Sequence, residues 1–369
     1  MSSSGSAAVA EAVVVAESYP MNGGDGTYSY NKNSHFQRVA TNVARATINE
    51  AIAERLDVKR FSPALTTFRI ADLGCSVGPN TFIAVQNILE AVRHKYESQG
   101  LSSQLPDFQV LFNDHAANDF NTLFASLPSD RPYYAAGVPG SFHGRLFPKA
   151  SLHIAHSSYA LHWLSKMPKE LVDPNSPAFN KGRVHYTSAP REVSDAYASQ
   201  FAKDMVTFLS ARGEEIVSGG IMVLVMSGIA NGIPHSRVPS GVMFDLLGFS
   251  LMDMAKEGII SEAQVDTFNL PVYATSPDEM TALVGSNGCF SIERMDLAAP
   301  KSKLDDSVGG HACMLHLRAG MEGIISKHFG SEIIDDLFDR FLRKTEEFSD
   351  HLNSAFLQGS QLVAILKRI

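Results

Sequence analysis

Apolar residues fall into two kinds of pattern along the chain, and their order outlines an architecture. Phe36, Val39, Val43, Ile48, Ile52 and Leu56 recur at roughly helical spacing and predict an amphipathic helix. Thr66 to Asp72 (TTFRIAD) reads as a buried strand running into a glycine-containing turn, and Thr81 to Tyr96 returns to a helical pattern. Further strands are predicted at Phe108 to Phe112, Tyr133 to Val138, Leu152 to His156 and Gly220 to Met226, with a long amphipathic helix over Glu192 to Ile216. Strands alternating with helices in this way argue for a parallel α/β sheet. The regularity breaks after residue 228. Residues 229–285 read as mostly helical with loops, and Phe290 to Met295 as a strand. Ile333, Leu337, Phe341, Phe348 and Leu352 mark one long amphipathic helix, and Gln361 to Lys367 a last strand. The predicted fold is an α/β doubly wound sheet with an α-helical cap. Its parts are a disordered tail (1–20), a core (21–228), a cap with one core strand near 290–295 (229–330), and a closing helix and strand (331–369).

Composition narrows the function. A formal net charge of −8 without any run of Lys or Arg excludes a binder of nucleic-acid backbone. Cys75, Cys289 and Cys313 are far apart and lack metal-ligand spacing, which fits a reducing, cytoplasmic setting. Ala7 to Ala16 is apolar, but Glu11 and Glu17 interrupt it and no basic region precedes it, unlike a secretory signal. No stretch is apolar for the length of a membrane span.

The segment Ala71-Asp72-Leu73-Gly74-Cys75-Ser76-Val77-Gly78-Pro79-Asn80 carries the most chemistry. A glycine turn after the first strand lets the backbone approach a ligand, and open α/β sheets bind ligands outside the carboxyl ends of their strands. The spacing Gly-x-x-x-Gly is neither the dinucleotide fingerprint nor a P-loop. Asp72 is placed to meet the charged amino-acid end of a cofactor. Asp114, ending the second strand, suits a bidentate bond to ribose hydroxyls. The alternative is that both merely cap turns.

Beyond these features, the stretches MNGGDGTYSYNKNSHFQ, ADLGCSVGPNT, FNDHAANDFNTLF, VPGSFHGRLFP, HSSYALHWLSK and DTFNLPVY, in this order over nearly the whole chain, resemble the plant SABATH methyltransferases. That family includes carboxyl methyltransferases of small acids and N-methyltransferases of the caffeine pathway. The resemblance implies a Rossmann-like methyltransferase fold and S-adenosylmethionine as methyl donor. It implies cofactor contacts from Ser34, Asp72, Gly74, Asn80, Asp114, His115, Ser141 and Phe142, with Phe142 against the adenine. His115 stands where many relatives have Leu.

It also implies the acceptor site. Gln37 and Trp163, the sole tryptophan, would donate hydrogen bonds to the acceptor carboxylate. Tyr30, Tyr159, His162, Met226, Ser227, Met243, Phe244 and Leu317 would wall it. Ser34-x-x-Gln37 also fits a helix capping box, and Trp163 reads equally as core. Phe244 replaces a Trp of salicylate-type and a His of loganate-type relatives, so a lipophilic or aromatic acceptor is expected. A structural Mg²⁺ on Asn180, Asp266, Asn269 and the carbonyl of Phe268 is implied too, as is a homodimer. The expected reaction is methyl esterification of a small acid. Three rivals stand beside it: xanthine N-methylation, a nicotinamide-dependent oxidoreductase, and a non-catalytic binder of small acids.

Overall fold

The computed structural model describes residues 17–61, 65–298, 309–358 and 360–369. The expected tail therefore lies outside the described residues up to residue 16. Glu17–Pro20, expected to be disordered, instead runs against the core: the Glu17 amide donates to the Ser165 carbonyl at 2.9 Å, and Tyr19 stacks on Trp163. Burial of an aromatic ring outweighs the low-complexity composition before it.

The chain continues through α1 (Tyr30–Asn33) and α2 (His35–Arg55) to β1 (Thr67–Leu73), α3 (Pro79–Ser98), β2 (Asp107–Asp114), α4 (Phe120–Ala125) and β3 (Tyr134–Pro139). Then come β4 (Leu152–Ser158), α5 (Arg191–Glu215) and β5 (Ile216–Gly228). The remainder is α6 (Pro239–Lys256), α7 (Glu262–Asp266), α8 (Pro277–Asn287), β6 (Phe290–Ala298), α9 (Gly310–Phe329), α10 (Ile334–Glu347), α11 (Ser349–Gln358) and β7 (Ser360–Arg368).

The strands form one sheet in the order β3-β2-β1-β4-β5-β7-β6. β1 to β5 are parallel, and β7 runs antiparallel between β5 and β6. Side chains of a strand alternate between faces. In β5, Val223 and Val225 therefore join the core under α2 and α3, while Met222, Leu224 and Met226 join the core under α5. A third core of α6, α9, α10 and α11 residues forms the cap. The expected single helix over 333–352 breaks at Phe348, whose φ/ψ of −101°/25° ends α10. The break lets α10 and α11 each pack on α6.

The strand order reverses at β1 and β4, and that switch point is where open α/β sheets bind ligands. Gly74 (φ 78°) and Gly78 (φ 101°) make the turn leaving β1. Both occupy the left-handed region, and a Cβ on Gly74 would collide with that of Ala160. Pro79 then opens α3, where its missing N–H costs nothing.

Candidate active site

Beyond the carboxyl ends of β1, β2 and β4 lies a cavity with about 900 Å³ of empty volume. Its floor is Asp72, Gly74, Asp114, Tyr159 and Ala160, and Phe142 closes one side. Asp72 is buried and bonded on both oxygens, to the Thr81 hydroxyl and to His156 Nδ1 at 2.7 Å. Asp114 accepts the backbone N–H groups of Ser76 and His115, each at 2.7 Å. Burial pushes its carboxyl up to about 6, against the lowering effect of those two bonds. Every charged group on this wall is acidic: Glu17, Asp72 and Asp114 line it, and no Lys or Arg does. Such a cavity suits a cationic ligand and offers no cation to a pyrophosphate.

A second cavity, of about 1250 Å³ empty volume, opens between the sheet and the cap. Phe244 and Met243 of α6 and Leu317 of α9 face it, as do His162 and Ser227. Met21, Tyr30, Gln37, Tyr159 and Trp163 line both cavities. They form the passage where two ligands would meet. The segment carrying Tyr159 to Trp163 leaves β4 through a strained turn, with Tyr159 at φ 54°. It is pinned by bonds from Tyr159 N to Val225 O (2.8 Å), Tyr273 N to His162 O (2.9 Å) and Leu164 N to Pro271 O (2.8 Å). His162 and Trp163 thus sit on a fixed loop beyond β4, not on the strand itself. The ring of Trp163 stacks on Tyr19 with centroids 5.8 Å apart. Gln37 carries a buried, unpartnered Oε1.

The model of the family described as "SAM dependent carboxyl methyltransferase" matches residues 16–369. The chain belongs to that family. It is 47% identical to loganic acid O-methyltransferase of Catharanthus roseus, over 95% of each chain. Identity to farnesoic acid carboxyl-O-methyltransferase of Arabidopsis thaliana is 38%, over 96% of this chain and all (100%) of the relative. A solved loganic acid methyltransferase with SAH superposes with a TM-score of 0.91 at 46% identity, covering 95% of this chain and 98% of that one. The protein is thus an S-adenosylmethionine-dependent carboxyl methyltransferase on a Rossmann-like sheet.

Within this methyltransferase, several expected site residues stand back from the two cavities. Ser34 precedes α2 without capping it. Its hydroxyl accepts instead from Asn80 Nδ2 at 2.9 Å, so Asn80 lines the first cavity and Ser34 supports it. The capping-box reading of Ser34 and Gln37 fails for the same reason. Ser141 precedes Phe142 without lining either cavity, and its Oγ accepts from the His143 amide at 3.4 Å. Met226 is fully buried beneath α5, because strand alternation turns Ser227 rather than Met226 toward the second cavity. The sequence reading missed Tyr19, His156 and His316, which do line the cavities.

The expected Mg²⁺ residues line neither cavity, and two of them, Asn180 and Asn269, bond each other. Asn180 Nδ2 donates to Asn269 Oδ1 at 2.7 Å, the Gly182 amide donates to Asp266 at 2.7 Å, and the Phe268 ring packs on Phe329. A hard cation needs about six oxygen ligands, and this set offers a single carboxylate already engaged. Among the described residues no group of three or more His, Cys, Asp and Glu side chains is arranged to hold a metal. Mg²⁺ thus has no support from side chains of that kind, while Asn180 Oδ1 stays buried without a hydrogen-bond partner.

Proposed function

We propose that the enzyme methylates the carboxylate of a small acid, drawing the acceptor and S-adenosylmethionine together at Gln37 and Trp163. The observation carrying this reading is the pair of cavities joined at those residues, one acidic and one uncharged. The cofactor supplies a methyl carbon already activated by its sulfonium. Asp72 and Asp114 face the cofactor's cationic and ribose portions, with Phe142 against its adenine. Gly74 admits its backbone approach, and Asn80 and His115 complete that wall.

A carboxylate is ionised at neutral pH, so no base is required. The protein's contribution is alignment. Trp163 has an indole N–H that only donates, and Gln37 an amide NH₂. These neutral donors orient the carboxylate without the strong ion pair that would stabilise it before reaction. Tyr30 and Tyr159 wall the passage, and burial holds both phenols protonated, with pKa well above the usual value. Relatives named for loganic and farnesoic acids support an acid acceptor. A homodimer and a cytoplasmic setting belong to the same proposal. All three cysteines are free, in keeping with a reducing compartment.

Trp163→Phe tests the assignment, because it keeps the ring and removes the donor. We expect kcat/KM for the acid to fall roughly a hundredfold, while S-adenosylmethionine affinity, measured by calorimetry, shifts less than about threefold. Equal losses in both quantities would remove Trp163 from the acceptor site.

A further inference from the structure

We propose that His185 is a positioning residue for Trp163, acting through the two peptide groups that lie between them. The inference rests on the reading of Trp163 as a donor to the acceptor, and it adds a residue that lines neither cavity.

Trp163 lies opposite Val272 in an isolated antiparallel bridge. The bonds of that bridge flank the pair, from Leu164 N to Pro271 O and from Tyr273 N to His162 O. In a pair flanked in this way each residue turns its own C=O away from its partner. The carbonyl of Val272 accordingly faces away from Trp163, and His185 Nε2 donates to it at 2.8 Å. That carbonyl shares one rigid peptide plane with the amide of Tyr273, as the carbonyl of His162 does with the amide of Trp163. A continuous line of bonds results: His185 Nε2 to Val272 O (2.8 Å), Tyr273 N to His162 O (2.9 Å) and Trp163 N to Ala160 O (3.0 Å). A rotation of the peptide between Val272 and Tyr273 therefore moves the donor that holds the His162–Trp163 peptide, and the indole with it.

The donor is held in one tautomer. A carbonyl only accepts, so His185 Nε2 carries the proton. Burial pushes this imidazole well below its usual pKa, which keeps the ring neutral and leaves a lone pair on Nδ1. The Thr187 hydroxyl donates to that lone pair at 2.7 Å. Having given its single proton, the Thr187 oxygen accepts from His235 Nδ1 at 3.2 Å. Burial keeps His235 neutral as well, pushed down to about 4. Thr187 and His235 thus select the form of His185 that serves Val272. The reverse order would place a charge on a buried imidazole.

The ring is also fixed in place, packed on Tyr186 (4.2 Å), Phe244 (4.6 Å) and Tyr197 (5.5 Å). Its chain neighbours anchor the same segment on either side. Leu270 N donates to Val184 O at 2.7 Å, and Ala274 N to the Tyr186 hydroxyl at 3.0 Å. Without the imidazole these anchors keep residues 270–274 where they are. Only the peptide between Val272 and Tyr273 loses its fixed orientation. Val272 is buried, and a buried carbonyl deprived of its donor is costly.

Trp163 is the sole tryptophan, so tryptophan fluorescence reports its placement alone. His185→Leu removes the donor, and His185→Gln keeps an amide N–H near the position of Nε2. Each is compared with the wild-type enzyme for acrylamide quenching of Trp163, measured with S-adenosylhomocysteine bound, for calorimetric S-adenosylmethionine affinity, and for kcat and KM with the best substrate from a panel of carboxylic acids. In His185→Leu we expect stronger quenching and a kcat lower by about tenfold or more, with S-adenosylmethionine affinity changed less than about threefold. His185→Gln should recover most of the quenching and most of kcat. Thr187→Val, which removes only the hydroxyl that selects the tautomer, should move both in the same direction by less. Wild-type quenching and kcat in His185→Leu, or an equal loss in His185→Gln, would overturn the proposal. Should His185→Leu not fold, unchanged quenching in Thr187→Val overturns it equally. Failure of the donor reading looks different: the wild-type enzyme forms no ester from any acid, or Trp163→Phe retains full activity. The quenching of His185→Leu, read without an acceptor, still decides whether His185 places Trp163 in that case.

Discussion

Asp114→Ala is expected to weaken S-adenosylmethionine binding by roughly a hundredfold or more, while the enzyme stays folded. The side chain ends β2, and each of its oxygens takes one backbone N–H, from Ser76 or His115. A carboxylate oxygen accepts two bonds, so one position on each oxygen remains for a ribose hydroxyl. Hydrogen bonds to an ionised group contribute about 1.5–3 kcal/mol apiece. Losing two of them accounts for the expected change. The same geometry gives a pH dependence. With the carboxyl pushed up to about 6 by burial, it accepts from the ribose only when ionised. Cofactor affinity should therefore be level above pH 7 and fall roughly tenfold for each pH unit below 6. Neighbouring Asp72 raises the Asp114 pKa further by its charge, so Asp72→Asn should move the onset of that fall to lower pH. Calorimetry across pH 5–8, with circular dichroism as the folding control, checks both. Wild-type affinity in Asp114→Ala would disconnect this residue from the cofactor.

Glu215→Ala is expected to have the largest effect on stability. Arg212 and Glu215, near the end of α5, are completely buried and bonded to each other, Arg212 Nε to Glu215 Oε2 at 2.7 Å. Together they hold the loop behind Phe142. Arg212 donates to the carbonyls of Phe142 (2.7 Å) and Gly144 (2.9 Å), and Glu215 Oε1 accepts the amides of Leu146 (2.6 Å) and Phe147 (2.9 Å). Removing the carboxylate leaves a buried guanidinium without its partner and two backbone donors unsatisfied. Breaking a buried pair from one side costs about 3–5 kcal/mol. For a chain of this length that is a fall in Tm of about 5 °C. The loop carries Phe142 into the cofactor cavity, so S-adenosylmethionine affinity should weaken as well. Glu215→Gln keeps an acceptor for the two amides and should lose less on both counts. A Glu215→Ala variant that melts with the wild type would show that the loop is held by packing alone.

Much of the sheet is legible in the sequence because buried parallel strands are short apolar runs bounded by turns. β1, β2, β3, β4 and β7 lie within about two residues of their predicted spans, as does α5. β5 is longer than predicted, starting at Ile216 directly after α5; Val217 to Gly219 fall in the irregularity between the Leu152–Ile216 and Ile154–Ile221 pairs and carry no strong apolar signal. α9 is not anticipated as a separate helix, although Cys313, Leu317, Met321 and Ile325 recur every four residues. The break between α10 and α11 is invisible to periodicity, since Phe348 keeps the helical spacing while its backbone leaves it.

The candidate site is legible to a lesser degree. Asp72, Gly74 and Asp114 stand out by their position at strand ends. Gln37 and Trp163 acquire meaning only from the family resemblance. Tyr19 could not be found, because its neighbours read as a tail and its place on Trp163 is a tertiary contact. His316 shows no local signal either, since only the packing of α9 into the cap, beside α10 and α1, brings it to the cavity. Met226 and Ser227 are adjacent, and strand parity alone decides which of them faces the second cavity.

The most direct test of the account is transfer of labelled methyl from S-adenosylmethionine to a panel of carboxylic acids and xanthines, with each product identified by mass and by lability to base. We expect a base-labile methyl ester from one or more acids, formed roughly a hundredfold less efficiently by Trp163→Phe and unaffected by a chelator. A base-stable methylated xanthine with no ester from any acid would contradict it, leaving the two cavities and the family while moving the reaction from oxygen to nitrogen.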